Sequence, residues 1–117
     1  MARVLVVDDE AENVALLQEF LHIKGYDVYT ATSGAAALEC LKQQRPHLVL
    51  LDVRMPGMDG LEVLKRIRDI DREVGVIMVT GVYEEGIGQQ ALQLGAFDYI
   101  TKPVDFRYLE NSVWYKV

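Results

Sequence analysis

The sequence predicts a three-layer, doubly wound α/β domain with a five-stranded parallel sheet. Two observations indicate this fold. Strand and helix patterns alternate along the whole of the 117 residues, and the central strand patterns are short and almost purely apolar, as in Val4 to Val7 and Leu48 to Leu51. Strands of that composition are buried on both faces. Right-handed crossovers then place helices on both sides of the sheet.

The first two strand–helix units are indicated by strand patterns and by residues that end helices. Strand patterns cover residues 3–7 and 27–31, and each is followed by apolar residues spaced three or four apart. Gly25 is placed to end the first helix as a C-cap, and Pro46 lies just beyond the second. The periodic apolar positions are Val14, Leu17 and Leu21, then Leu38 and Leu41.

The last three units follow the same plan, with strands expected at residues 47–51, 74–79 and 97–101. Gly95 is placed to end the fourth helix. We predict that Gly86 and Gly88 lie in the first part of that helix, where each costs about 1 kcal/mol relative to alanine, so this start is easily rearranged. The helical positions are Leu61, Leu64 and Ile67, then Ile87, Ala91 and Leu94, then Phe106, Leu109 and Val113.

The composition describes one globular domain over residues 1–117. Hydrophobic residues make up 50% of the chain and charged residues 26%, and the length leaves room for one core. The formal net charge of −6 argues against direct nucleic-acid binding, because phosphate contacts require clustered lysine and arginine. Four basic residues do crowd one segment, which we interpret as a solvated helix face: Lys65, Arg66, Arg68 and Arg72.

The sequence contains no candidate membrane segment and no pair of cysteines. No apolar run approaches the roughly 18 residues of a membrane span, and the first residues lack the body of a signal peptide. Cys40 is the single cysteine, and it falls in an apolar helix pattern where a small core residue is expected. We therefore expect a cytoplasmic protein that does not bind membranes.

Three aspartates stand where apolar strands stop: Asp8 and Asp9 after the first strand and Asp52 after the third. Two strand orders fit five strand–helix units, and the carboxylates favour one of them. In the order 2-1-3-4-5, which is the flavodoxin-like arrangement, the first and third strands are neighbours and a crevice opens at their carboxyl ends. The three carboxylates then converge in that crevice.

Carboxylates brought together repel one another, so either some of them are protonated or a cation lies among them. Hard oxygen ligands on short side chains suit Mg²⁺ or Mn²⁺, with water and a backbone carbonyl completing the shell. Structural alternatives remain open. Asp8 or Asp9 can cap the helix that begins near Glu10, and Asp52 can simply start a turn.

A hydroxyl and an ammonium face the same crevice from its other side, because Thr80 ends the fourth strand and Lys102 follows the fifth. An aspartate nucleophile, a divalent cation, a hydroxyl donor and a lysine charge make a complete phosphoryl-acceptor site. Each residue also has a structural interpretation. Thr80 can start a turn beside Gly81, and Lys102 can pair with a carboxylate.

These residues carry a resemblance to the receiver domain of two-component response regulators, of the chemotaxis-regulator type. The resemblance covers essentially the whole chain, and the motifs fall in the family's order and spacing. The matching motifs are Asp8-Asp9, then Asp52-Val53-Arg54-Met55-Pro56-Gly57-Met58-Asp59-Gly60, then Thr80-Gly81, then Thr101-Lys102-Pro103.

The resemblance implies a role for each residue at the crevice. It implies that Asp52 accepts the phosphoryl group and that Thr80 and Lys102 bind it. The same resemblance implies that Mg²⁺ is held by Asp8, Asp9, Asp52 and the backbone carbonyl of Arg54. It also implies a cis peptide bond between Lys102 and Pro103, and a domain that catalyses only its own phosphorylation and dephosphorylation.

Three further positions matter for switching and for the lifetime of the phosphoryl group. In the family, the aromatic residue three before the lysine, here Tyr99, reorients on activation together with the threonine, here Thr80. Arg54 and Val82 occupy positions that flank the path of the hydrolytic water. Because Val82 has no polar group to orient water, we hypothesise a long-lived phosphoryl group.

The resemblance implies a sensor histidine kinase or phosphotransfer protein as phosphoryl donor, and leaves open a homodimer through the fourth helix, fifth strand and fifth helix. An output domain beyond Val117 and a single-domain regulator are equally compatible with the sequence. Among other classes, a flavin module fits poorly because Asp8, Asp9 and Glu10 would repel phosphate, and a phosphatase would need Asp-x-Asp. The better alternative is a receiver-like interaction module that signals without phosphorylation.

Overall fold

Five strands and five helices alternate along the chain in this computed structural model, which describes residues 2–81 and 86–116. The strands are β1 (Arg3–Val7), β2 (Asp27–Ala31), β3 (Leu48–Leu51), β4 (Gly75–Thr80) and β5 (Asp98–Thr101). The helices are α1 (Ala11–Ile23), α2 (Gly34–Gln44), α3 (Gly60–Ile70), α4 (Ile87–Gln93) and α5 (Phe106–Lys116).

The strands form one parallel sheet in the order β2-β1-β3-β4-β5, which confirms the predicted doubly wound arrangement. β1 and β3 are neighbours, with Val4 opposite Leu48 and Val7 opposite Leu51. Every residue of β3 and β4 is buried, as their continuous apolar runs predict. The carboxyl ends of β1, β3, β4 and β5 therefore meet at one edge of the sheet.

Alternate strand residues pack into two separate hydrophobic layers. One layer joins residues such as Leu5, Val49 and Met78 to α2, α3 and α4. The other joins their sequence neighbours, such as Val4 and Ile77, to α1 and α5. Each fully buried leucine or isoleucine in these layers contributes roughly 1.5–3 kcal/mol relative to an exposed position. Both faces of the sheet are thus covered by helices, so a functional site is expected at the ends of the strands.

Three strands start one residue later than predicted, at Leu48, Gly75 and Asp98. The reason is clearest before β4, where Val74 belongs to the preceding turn. Its N–H donates to Oδ1 of Asp71, and its carbonyl accepts a 2.6 Å hydrogen bond from Arg68. β4 ends at Thr80, directly after the apolar run that closes at residue 79, so this threonine is the last residue of a buried strand, where the sequence places it.

Glycines mark the helix ends close to where the sequence places them. Gly25 and Gly95 follow the C-cap residues Lys24 and Leu94 and have φ of 93° and 105°, a conformation that favours glycine. The prediction for Gly86 was wrong by one position. Gly86 is the N-cap of α4, with φ of 88°, so Gly88 is the glycine inside the helix.

The basic segment of α3 is only partly a solvated face. Arg66 forms an exposed ion pair with Glu62, as expected for such a face. Arg68 instead turns inward, where its guanidinium donates to the carbonyls of Val74 and Gly95. Burial lowers the pKa of Arg68, against an opposing contribution from the charge of Asp71. None of the described helices is both long and apolar enough to cross a bilayer.

Candidate functional site

The candidate site lies at the carboxyl ends of the central strands, where three backbone hydrogen bonds extend the sheet by one residue. The N–H of Asp8 donates to the carbonyl of Ala31, and that of Asp52 donates to the carbonyl of Val7. The N–H of Lys102 donates to the carbonyl of Thr80 at 2.8 Å. These bonds fix the start of each side chain, so their convergence is set by the fold.

Lys102 connects two of the predicted carboxylates. Its Nζ lies 2.6 Å from Oδ2 of Asp8 and 3.2 Å from Oδ2 of Asp52. Burial on its own would lower the pKa of Lys102, but the hydrogen bonds and charges of Asp8 and Asp52 outweigh it and raise the pKa above its usual value. The alternative that Lys102 pairs with a carboxylate is therefore realised, and with two carboxylates.

Asp52 is the most enclosed acid of this group apart from Asp8. Its side chain is 7% exposed, and only its Oδ2 contacts Lys102. Among the described residues, its Oδ1 is the one buried side-chain oxygen or nitrogen that has no hydrogen-bond partner. Buried polar groups are almost always satisfied, so this oxygen marks a place where a ligand of positive charge or a covalent change is expected.

Asp8, Asp9 and Glu10 form an acidic cluster directly after β1, and Lys102 links its member Asp8 to Asp52. One carboxylate oxygen from each lies within 4.8 Å of the others. Neither aspartate caps α1, because the N-cap is Glu10; Oδ1 of Asp8 instead accepts the N–H of Glu10 at 3.0 Å. The sequence prediction did not include Glu10 among the site residues. Its position directly after two aspartates was the signal available.

The loop between β3 and α3 is held against Asp52 by a glycine. A Cβ on Gly60 would lie 2.0 Å from the carbonyl oxygen of Asp52, so only glycine lets α3 start here. The N–H of Gly60 also donates to the carbonyl of Val53 at 2.7 Å, and Oδ1 of Asp59 caps the helix. This closed loop contains Arg54, whose side chain is exposed. The role of Gly60 was not anticipated from the sequence.

Thr80 and Tyr99 lie on neighbouring strands. Thr80 is fully buried at the end of β4, and Tyr99 is half-buried on β5 opposite Met78. A Cβ on Gly88 would be 3.4 Å from the Tyr99 ring, which places this ring against the first turn of α4. The peptide bond between Lys102 and Pro103 is cis. Val82 lies outside the described residues, as does Val117.

An apolar cavity of about 190 Å³ adjoins the site between α1 and the segment that follows β5. Leu16 of α1 is 55% exposed at this place, so the cavity opens onto an accessible apolar surface. The lining residues are Asn13, Leu16, Leu17, Lys102, Pro103, Val104 and Phe106. Because Lys102 belongs to both the cavity and the acidic site, a partner seated in the cavity would contact the edge of that site.

Comparison with known proteins gives a consistent family assignment. A family model for the response regulator receiver domain matches residues 4–113. The chain is 39% identical over 111 residues to Sporulation initiation phosphotransferase F of Bacillus subtilis, covering 95% of this chain and 90% of that protein. It is 45% identical over 111 residues to Alkaline phosphatase synthesis transcriptional regulatory protein PhoP of Bacillus subtilis. That match covers 95% of this chain but only 46% of PhoP.

Solved structures give the same result. The chain superposes on the response regulator protein TrrA from Thermotoga maritima, solved in complex with Mg²⁺-BeF, with a TM-score of 0.91 and 35% identity. The match covers 100% of both chains.

Proposed function

The chain belongs to the response regulator receiver domains of two-component systems, and on that premise we propose that Asp52 is its phosphoacceptor and that the receiver domain spans residues 1–117. The observation that carries this assignment is the unpartnered, buried Oδ1 of Asp52. Oδ2 of Asp52 is bound by Lys102, so Oδ1 is the oxygen of this carboxylate that remains open to a ligand or to covalent change.

The donor set suits a magnesium or manganese ion. Asp8, Asp9, Asp52 and the backbone carbonyl of Arg54 are the groups that would hold it, and all offer the hard oxygen ligands these ions prefer. The unpartnered oxygen of Asp52 and the crowding of Asp8, Asp9 and Glu10 support this fit. When bound, the cation would offset negative charge on the phosphoryl oxygens.

We propose that a phosphohistidine on a sensor histidine kinase or phosphotransfer protein supplies the phosphoryl group. A carboxylate oxygen of Asp52 attacks phosphorus and forms a P–O bond. The P–N bond to the histidine breaks, and its electron pair stays on the imidazole. Lys102 and Thr80 serve as donors to the transferred oxygens. The domain acts on no external substrate and catalyses only its own phosphorylation and dephosphorylation.

The switch that we propose joins Thr80 to Tyr99. An added phosphoryl charge draws the Thr80 hydroxyl, and Tyr99 responds because it lies on the neighbouring strand and packs against Gly88. The start of α4 then follows, since the N-cap of this helix is glycine and its second residue is glycine. Binding of a partner to this face would report the phosphorylation of Asp52.

Two surfaces are the proposed contacts with partners. The apolar cavity beside Lys102, with exposed Leu16, would receive the phosphoryl donor. The face formed by α4, β5 and α5 would carry the output or a homodimer, and Tyr108 and Tyr115 of α5 are exposed there beside Asp98 of β5. An output domain beyond Val117 stays open in the proposal, because the chain covers 46% of PhoP but 90% of Sporulation initiation phosphotransferase F. The cytoplasm remains the expected compartment.

Mass spectrometry after treatment with acetyl phosphate and Mg²⁺ tests the assignment. We expect the wild type to gain the mass of one phosphoryl group and Asp52→Asn to gain none. Asp59→Asn is the matched control, because this aspartate is close in sequence but caps α3, and it should be modified like the wild type. Absence of modification in the wild type would favour the alternative, an interaction module that signals without phosphorylation.

A further inference from the structure

We propose that Glu10 is a further carboxylate of the metal site, which acts on the bound cation through one of the water molecules in its shell. The inference deepens the proposed function and rests on it, since it concerns how tightly the same site holds its cation. It adds a residue that the four-group ligand set of Asp8, Asp9, Asp52 and the Arg54 carbonyl leaves out.

The position of Glu10 is fixed by a predicted ligand. Its N–H donates to Oδ1 of Asp8 at 3.0 Å, which ties the backbone of Glu10 to that aspartate. A carboxylate oxygen of Glu10 lies within 4.8 Å of ligand oxygens of both Asp8 and Asp9. The Glu10 carboxylate therefore belongs to the same cluster and is not merely nearby in sequence.

The helix does not use the side chain of Glu10. Glu10 is the N-cap of α1, with an extended backbone of φ −92° and ψ 111°, but its side chain makes no capping hydrogen bond. Serine, threonine or aspartate would cap this position better. A glutamate that does not cap the helix, and that lies among other carboxylates, calls for a reason other than the stability of α1.

The charge at this end of the sheet supports a cation within reach of Glu10. Asp8, Asp9 and Glu10 place three carboxylates together, and the ammonium of Lys102 links Asp8 to a fourth carboxylate, that of Asp52. The buried, unpartnered Oδ1 of Asp52 is an independent sign that this place suits a positively charged ligand. Because Lys102 contacts both Asp8 and Asp52, the carboxylate that carries this oxygen is linked through one ammonium to the cluster to which Glu10 belongs.

An indirect contact fits Glu10 better than direct ligation. Mg²⁺ usually keeps several waters and takes few ligands directly from a protein. Glu10 is exposed, whereas Asp8 is almost fully buried, so Glu10 lies on the solvent side of the cluster. A carboxylate in that place accepts hydrogen bonds from metal-bound water and so strengthens binding without adding a ligand.

Titration of Mn²⁺, followed by the electron paramagnetic resonance signal of the free ion and by competition with Mg²⁺, tests the inference. We expect Glu10→Gln to weaken binding about tenfold, the lower end of effects from outer-shell partners. Glu12→Gln is the matched control, because Glu12 is exposed in the first turn of α1 and loses the same charge. We expect it to change affinity less than twofold in salt that screens exposed charges.

The controls separate this inference from the proposed function. Asp9→Asn should lose more affinity than Glu10→Gln, because a ligand is removed instead of its outer partner. Equal affinity of Glu10→Gln and Glu12→Gln would overturn the role of Glu10 while leaving the phosphoacceptor assignment intact. A loss in Glu10→Gln as large as that in Asp9→Asn would overturn the indirect contact. A wild type that binds neither ion would overturn the metal site itself.

Discussion

Lys102 and Asp8 are joined across the end of the sheet: Nζ of Lys102, which follows β5, lies 2.6 Å from Oδ2 of Asp8, which follows β1. Two strands, β3 and β4, lie between them in the sheet. The ammonium therefore occupies a place beside a carboxylate that a divalent cation would also need. We therefore expect Lys102 and a bound cation to compete for Asp8, and several measurable effects would follow from this competition.

Replacing Lys102 by methionine tests that competition. Without divalent cations we expect the free energy of unfolding to fall by about 3 kcal/mol, because two enclosed carboxylates lose their ammonium. Saturating Mg²⁺ should restore most of this loss and should bind more tightly than to the wild type. Urea denaturation with and without Mg²⁺ measures both effects. The control is Lys65→Met, which removes an exposed lysine of α3. If Lys102→Met lost the same free energy of unfolding with and without Mg²⁺, the competition would be contradicted.

The raised pKa of Lys102 predicts a loss of stability at alkaline pH. Since the folded pKa is above the unfolded value of about 10.4, the stabilisation is complete below that pH and is lost as the pH rises through the folded pKa. We expect Lys102→Met to lose less stability than the wild type over that range. Urea midpoints as a function of pH measure the difference. Tyr26 and Tyr108, whose pKa values are also raised, contribute equally to both proteins.

At Gly60, even the methyl group of alanine is expected to lower stability considerably. In Gly60→Ala the new methyl would collide with the backbone carbonyl of Asp52, so we expect a loss of about 3 kcal/mol of stability and a slower phosphorylation of Asp52. Gly81→Ala is the control, because a Cβ there meets nothing within 4 Å. Chemical denaturation and the rate of acetyl phosphate modification are the two measurements. Similar values for the two variants would show that α3 can move away from Asp52.

Alanine substitutions at the two glycines at the start of α4 are expected to change stability in opposite directions. Gly88→Ala lies inside the helix and would gain up to about 1 kcal/mol, since its methyl would make an ordinary contact with the Tyr99 ring. Gly86→Ala would lose about 1 kcal/mol because φ is 88° at this position. Hydrogen exchange of α4 should slow in the first variant and accelerate in the second. Unchanged exchange in both would mean that this end of α4 is not the soft segment.

The strands were predictable because parallel central strands are buried on both faces, and a short continuous apolar run such as Leu48 to Leu51 is typical of a strand in that position. Strand ends were less predictable, since they depend on tertiary partners. Val74 has the composition of a strand residue, but Asp71 and Arg68 bind its backbone groups and keep it in a turn. Hydrophobic periodicity carries no information about such bonds.

The sequence predicted which residues lie at the site and at which strand ends they stand. It did not predict which of their atoms are in contact. The ends of parallel strands bring Asp8, Asp52 and Lys102 together whatever the loops do. The bond of Lys102 to both aspartates depends on the path of one long side chain, which spacing alone does not determine. Gly60 was missed because its role lies in the side chain it lacks, and that role becomes visible only when the backbone of Asp52 is seen beside it.

Arg68 has a consequence for the kind of motion that α4 can make. Its guanidinium binds the carbonyl of Gly95 at 2.8 Å, and Gly95 has no room for a side chain beside it. The carboxyl end of α4 is thereby tied to α3 and to the start of β4, whereas its amino end begins at Gly86. Because these bonds hold its carboxyl end, α4 is expected to tilt about that end instead of moving along its axis. We infer that α4 pivots about Gly95. The distance between a spin label on α3 and one at Gln89 should change when Asp52 is phosphorylated, whereas the distance to a label at Gln93 should stay constant.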